Sequence, residues 1–371
     1  MRALPRRLAW VAMLLCYTAC SRPRGSLSEV PRLLARGQLA AACQMARQLV
    51  DETRGDDQVK ALRHWIACED RRGGTSQPAR WVEQRRAPAD LIAYARGLLA
   101  LTAGPEQTDR ALAFLTRAQA LNPRQAEYPF RAALILLADE QPERAKQLLL
   151  KACPLMRQSA ACPVALAEAQ YTLGDEHAAR ETLAIAATRK QLSTATLRRA
   201  RALINEMQRH RRALPPQSAE RYQQALTALK SGGPSVIALR LAQNLIADHP
   251  DRAALHTLAG LAHFQLANVA EAIAALKQAL KLDPDDDLAQ LTLAVLYRQR
   301  KLSDRALHHA QLALRGNPFS RAALSRVIEL LRQRKPPTDQ RRLSALVARL
   351  TRLKLADPAG HRSQAGGHPA P

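Results

Sequence analysis

LHTLAGLAHFQLANVAEAIAALKQALKLDP, residues Leu255 to Pro284, decides the fold. Its apolar residues recur at spacings of three and four, the signature of two amphipathic helices. The small residues Gly260, Ala272 and Ala279 punctuate the pattern, and Pro284 ends it. Outward from this stretch the same marks return: Pro216, Pro250, Pro284 and Pro318 stand 34 residues apart. Ala238, Ala272 and Ala306 share one position of the period, Leu245, Ala279 and Ala313 a second, and Gly260 and Ala294 a third. A fixed period of this length means an array whose units bury their faces against one another.

These residues resemble the tetratricopeptide repeat (TPR), a helix-turn-helix unit in which small residues at repeat positions 8, 20 and 27 let two helices cross closely and a proline at 32 ends the unit. The resemblance implies an all-α, right-handed α-solenoid. Composition agrees, with 47% hydrophobic and only 4% aromatic residues, and strand patterns are absent. Further matches lie in Leu91 to Pro123 (Gly97, Ala111, Leu115, Ala118), Arg124 to Cys153 (Ala133, Ala145, Leu149, Ala152) and Ala160 to Ala187 (Ala167, Gly174, Ala179, Leu183, Ala186). The register breaks between Ala179 and Ala238. We therefore expect an N-terminal block over 30–187, a basic linking helix within 188–215, a C-terminal block over 216–334, a capping helix within 335–356 and a disordered tail over 357–371.

The first residues, MRALPRRLAWVAMLLCYTAC, join a basic start to an apolar run too short to span a bilayer, which reads as a signal peptide over 1–19 followed by a linker over 20–29. Tyr17-Thr18-Ala19-Cys20 resembles a bacterial lipobox, which implies lipidation of Cys20; Ser21 in the next position implies sorting to the outer membrane, facing the periplasm. The alternative is an ordinary signal peptide that happens to end near a cysteine. Four further cysteines remain, Cys43, Cys68, Cys153 and Cys162, an even number that in an exported chain points to disulfides. Placed in the TPR register, Cys43 is level with Cys68, and Cys153 with Cys162, across neighbouring helices. Buried free thiols are the alternative.

The chain carries 56 Lys and Arg against 32 Asp and Glu, a formal charge of +24. Such a balance favours anionic partners; the plainer reading is a GC-rich genome that encodes arginine wherever a solvated charge will do. Arg198, Arg199, Arg201, Arg209, Arg211 and Arg212 crowd one helix beside a single Glu206. No nucleic-acid motif accompanies them, and no nucleic-acid partner is expected.

No phosphate loop, nucleophile elbow, zinc-protease motif or Cys-x-x-Cys is present, so neither an enzyme nor a cofactor is expected. His256 and His263 fall at core positions without further ligands at metal spacing, and the adjacent His308 and His309 are expected in solvent. The TPR resemblance implies an inner groove lined by first-helix residues: here Leu261 and Phe264, then Leu288, Leu291 and Val295, an apolar strip edged by Arg298. Such a strip marks an interaction site, unless the C-terminal helix fills it. The chain thus resembles TPR lipoproteins of the bacterial envelope, among them pilotins and outer-membrane assembly factors. This implies a non-enzymatic scaffold that takes a protein partner in its concave groove, with no small-molecule substrate. Binding of an anionic envelope polymer or membrane surface through the arginine-rich helix is the alternative.

Overall fold

The computed structural model describes residues 27, 29–73, 75–84, 87–211, 213–333 and 340–357. The leader, Cys20 and most of the C-terminal tail lie outside them. Among the described residues the chain is all-α, with nineteen α-helices, one short 3-10 helix at Pro105–Gln107 and an isolated bridge between Ser159 and Gln191. None of these helices is long and apolar enough to cross a membrane. The chain divides into two compact units between Thr196 and Leu197.

Unit 1 contains α1 (Glu29–Ala35), α2 (Leu39–Glu52), α3 (Gly55–Arg71), α4 (Ser76–Glu83), α5 (Ala89–Ala103), α6 (Thr108–Leu121), α7 (Glu127–Ala138), α8 (Pro142–Ala152), α9 (Ala161–Thr172) and α10 (Glu176–Thr188). The boundary between units falls inside α11 (Thr194–Arg211). Unit 2 continues with α12 (Pro216–Lys230), α13 (Ser235–Asp248), α14 (Ala253–Gln265), α15 (Val269–Leu282), α16 (Asp287–Gln299), α17 (Ser303–Gly316), α18 (Arg321–Gln333) and α19 (Gln340–Ala356). Sequential helices pack as pairs, α5 on α6, α7 on α8 and α9 on α10 in unit 1 and α14 on α15 and α16 on α17 in unit 2, and within each unit neighbouring pairs stack on one another.

Small residues set the spacing within a pair. A methyl group on Gly260 of α14 would stand 2.6 Å from Leu276 Cγ of α15; on Gly97 of α5 it would stand 3.1 Å from Leu115 Cγ of α6. Ala272, Leu276 and Ala279 are fully buried against this crossing, as are Ala111, Leu115 and Ala118 in the earlier pair.

The turn between paired helices is the same at six places among the described residues. Gly37, Glu140, Gly174, Gly232, Ala267 and Lys301 all adopt positive φ. The next amide in each case reaches back to a helix carbonyl: Gln38 to Leu33, Gln141 to Leu136, Asp175 to Gln170, Gly233 to Ala228, Asn268 to His263 and Leu302 to Tyr297, at 2.8–2.9 Å. This is a Schellman closure, which satisfies carbonyls that the helix end would leave open. Three of the six positions lack the glycine that the conformation favours.

Cys153, just after α8, and Cys162, in the first turn of α9, form a disulfide with Cα atoms 5.4 Å apart. The pairing expected for Cys43 and Cys68 requires correction. α2 and α3 pack together, but both cysteines are buried free thiols, hydrogen-bonded to each other. Burial pushes the Cys43 thiol up and that of Cys68 up to about 12. His309 also departs from expectation. It is half-buried, stacked on Tyr297 at 5.2 Å and bonded through Nδ1 to Gln290 at 2.7 Å, and burial lowers its pKa to about 4.

Three substitutions, two adding a methyl and one removing it, probe these local rules. Gly260→Ala should destabilise unit 2 by about 1–2 kcal/mol, because Leu276 must move, whereas Gly97→Ala should cost unit 1 less. Ala267→Gly should stabilise by about 0.5–1 kcal/mol by relieving a left-handed conformation. Thermal unfolding of the three variants checks all of them.

Candidate functional site

Leu261 and Phe264 lie on α14, and Leu288, Leu291, Val295 and Arg298 on the adjacent α16. All six are half-buried. Leu261 packs at the edge of the core of α12–α14 and Phe264 at the edge of the core of α15–α18, so each is anchored on one side and open on the other. Polar rungs tie the first helices side by side. Gln265 Nε2 donates to the Leu229 carbonyl at 3.0 Å, Thr257 Oγ1 to Asp286 at 2.7 Å, and Arg298 Nη1 to Glu329 at 2.7 Å. Asp286 is only 3% exposed and also accepts from the Leu288 and Ala289 amides, which caps α16 and fixes where the strip begins. Arg298, read from the sequence as the strip's charged edge, is engaged by Glu329, which also accepts from Arg326. The C-terminal helix α19 packs on α18: Leu343 and Leu346 meet the core that contains Val327, Leu330 and Leu331, and Leu353 and Ala356 are buried.

The arginine-rich helix α11 is less open than its composition implies. Leu197, Ala200, Leu203, Ile204 and Met207 recur at helical spacing and are buried. Within unit 2, Arg201 pairs with Asp357 at 2.5 Å and Arg211 with Asp283 at 2.6 Å, while Gln208 donates to Asp287 at 2.9 Å. Arg198 and Arg209 remain exposed. Two of the cations meant to form an anion-binding surface are thus neutralised by aspartates of their own unit.

Unit 1 holds a polar cluster that the sequence did not disclose. Glu127, at the start of α7, accepts from Arg63 Nη1 of α3 at 2.5 Å and from Arg131 Nε one turn along at 2.7 Å. Both guanidinium groups are 1% exposed. Burial by itself would raise the carboxyl pKa, but the attraction of Arg131 and Arg63 overrides it and holds Glu127 at about 2. Nearby, Tyr94 and Tyr128 pack with ring centres 5.0 Å apart, Tyr128 donates to Asp90 at 2.9 Å, and Gln125 donates to Asp56 at 2.7 Å. Burial next to Arg63 keeps His64 neutral, with its pKa lowered to about 3. The one available sign was Arg131 inside the apolar run EYPFRAALILLA, four residues after Glu127; Arg63, 64 residues upstream, carried no mark of its role. Among the described residues, no group of three or more His, Cys, Asp or Glu is placed to hold a metal.

Because the folded-state pKa of Glu127 is depressed, its contribution is complete above the ordinary carboxylate pKa of 4.5 and is lost as pH falls from there towards about 2. Glu127→Gln leaves two guanidinium groups buried without their counter-charge, and should cost about 3–5 kcal/mol at neutral pH. Denaturant titrations at pH 7, 5 and 3 check this: the gap between parent and variant should narrow at pH 3.

The tetratricopeptide-repeat family model matches residues 222–287 and 257–321. No curated protein matches. Among solved structures, the chain is similar to the APC/C Cut9-Hcn1 hetero-tetramer (17% identity, TM-score 0.37), over 82% of this chain and 55% of that one. It is also similar to the human IFIT1 dimer with m7Gppp-AAAA (13%, TM-score 0.37, 94% of each chain) and to the TPR2AB domain of yeast Sti1 in complex with pHSP90 (18%, TM-score 0.30, 74% of this chain and 99% of that one). Residues 222–321, which run from α12 to the start of α18, thus match the tetratricopeptide-repeat model.

Proposed function

We propose that this chain is a non-enzymatic scaffold that takes a segment of a partner protein along the inner face of unit 2, held at the outer membrane on its periplasmic side by lipid on Cys20, in envelope, pilus or secretion assembly. The observation that carries the binding part is the strip itself. Leu261, Phe264, Leu288, Leu291 and Val295 sit half-buried on two adjacent helices, while the polar groups nearby bond to one another. An occupant gains by covering apolar surface and displaces no ion pair to do so. Burying Phe264 and Leu291 more fully should contribute roughly 1.5–3 kcal/mol each. The tether rests on the lipobox-like Tyr17-Thr18-Ala19-Cys20.

Affinity capture from detergent-solubilised membranes, with parent and Phe264→Ala/Leu291→Ala chains as baits, tests the groove. The double variant should lose its partner by about 100-fold in affinity with only a modest fall in melting temperature, since both side chains are half-buried. A marked fall in melting temperature with capture intact places the strip in the core and the binding face elsewhere. Cys20→Ser should move the protein from the membrane pellet to the soluble fraction; a variant that still pellets after a high-salt wash is held by something other than lipid.

A further inference from the structure

The Glu127 cluster is overlain by a cavity of about 410 Å³, lined by Asp56 and Lys60 of α3, by Arg124, Gln125 and Glu127 where α7 begins, and by Arg157 with its neighbours ahead of α9. Three features make it a formed site rather than a surface dent. The wall 155–159 belongs to a loop of eight residues between α8 and α9, where later repeats use four, and the Cys153–Cys162 disulfide closes that loop at its base. A second strand of chain locks the far side: Ala160 donates to the Gln191 carbonyl and Gln191 to the Gln158 carbonyl, both at 2.9 Å. The floor is fixed by the Gln125–Asp56 bond and by Glu127 between its two arginines.

Charge then decides what such a cavity would take. Lys60, Arg124 and Arg157 line it and Arg63 and Arg131 lie beneath, opposed by the carboxylates of Asp56, Asp57 and Glu127. Three cations thus line the cavity against two carboxylates, and Arg189 adds a further cation nearby by donating to the Arg157 carbonyl. The buried pair contributes a field that solvent and salt screen poorly, and a concave surface concentrates it. We propose that this cavity of unit 1 is an anion-binding site that takes a phosphate or carboxylate group, with Arg124 and Arg157 as its outer contacts. It lies in a different unit from the apolar strip and is independent of the tether.

Isothermal titration of the purified full chain with inorganic pyrophosphate, and separately with a terminally blocked tetraglutamate peptide, tests the site and tells the two sources of anion apart. At least one probe should give a saturable one-to-one isotherm that weakens between about 50 and 200 mM salt. Arg124→Glu with Arg157→Glu should lower that affinity roughly tenfold or more at an unchanged melting temperature. Arg198→Glu with Arg209→Glu makes the same change in net charge on exposed positions of α11 and should leave it unaltered. The proposal is overturned if neither probe binds at about 1 mM, or if the α11 control loses as much affinity as the cavity variant, which would make the attraction a property of total charge.

Discussion

The close crossing of paired helices is the constraint on which everything else depends. Where α14 meets α15 there is no room for a single methyl at Gly260, and Leu276, Ala272 and Ala279 are fully buried against the gap. Helices this close bury their shared face with small side chains. Larger residues are then displaced to the faces between pairs, where Leu255, Leu258, Leu293 and Leu296 lie buried. The 34-residue recurrence of prolines and alanines is the sequence trace of one contact made repeatedly. The positions of Leu261 and Phe264 at the open edge follow from it, because a helix gripped on one side by its pair and flanked by its neighbours has one stripe left over.

How much of this was legible depended on the range of the interaction. The crossings were readable because they impose small residues at fixed spacing within a unit. The turns were only partly so: Gly37 and Gly174 announce a left-handed residue, but Glu140, Ala267 and Lys301 adopt the same conformation with no compositional sign, held by the hydrogen bond of the following amide. Contacts between distant segments left no trace at all. Arg63 and Glu127, Arg211 and Asp283, and Arg298 and Glu329 each look like ordinary solvated charges in the sequence. For the same reason the register could place Cys43 level with Cys68 and yet say nothing of whether burial would leave them as thiols.

The arginines sort themselves into three physical roles once the partners are visible. Arg63 and Arg131 are interior structural groups, tied to Glu127 in a medium where charges interact strongly. Arg201, Arg211 and Arg298 fasten helices to acidic residues at half-exposed positions. Arg124, Arg157, Arg198 and Arg209 face outward. The formal charge of the chain therefore overstates its attraction for anions, and the part that remains is local.

The rungs between first helices differ in a way that bears on mechanics. Thr257–Asp286 joins α14 to α16 in a buried setting, whereas Arg298–Glu329 joins α16 to α18 with both side chains 38% exposed. An exposed ion pair loosens as ionic strength rises, and a buried hydrogen bond hardly responds. Rising ionic strength should therefore loosen the rung beyond α16 and leave that between α14 and α16 in place, while the apolar core shared by α15–α18 continues to hold these helices together.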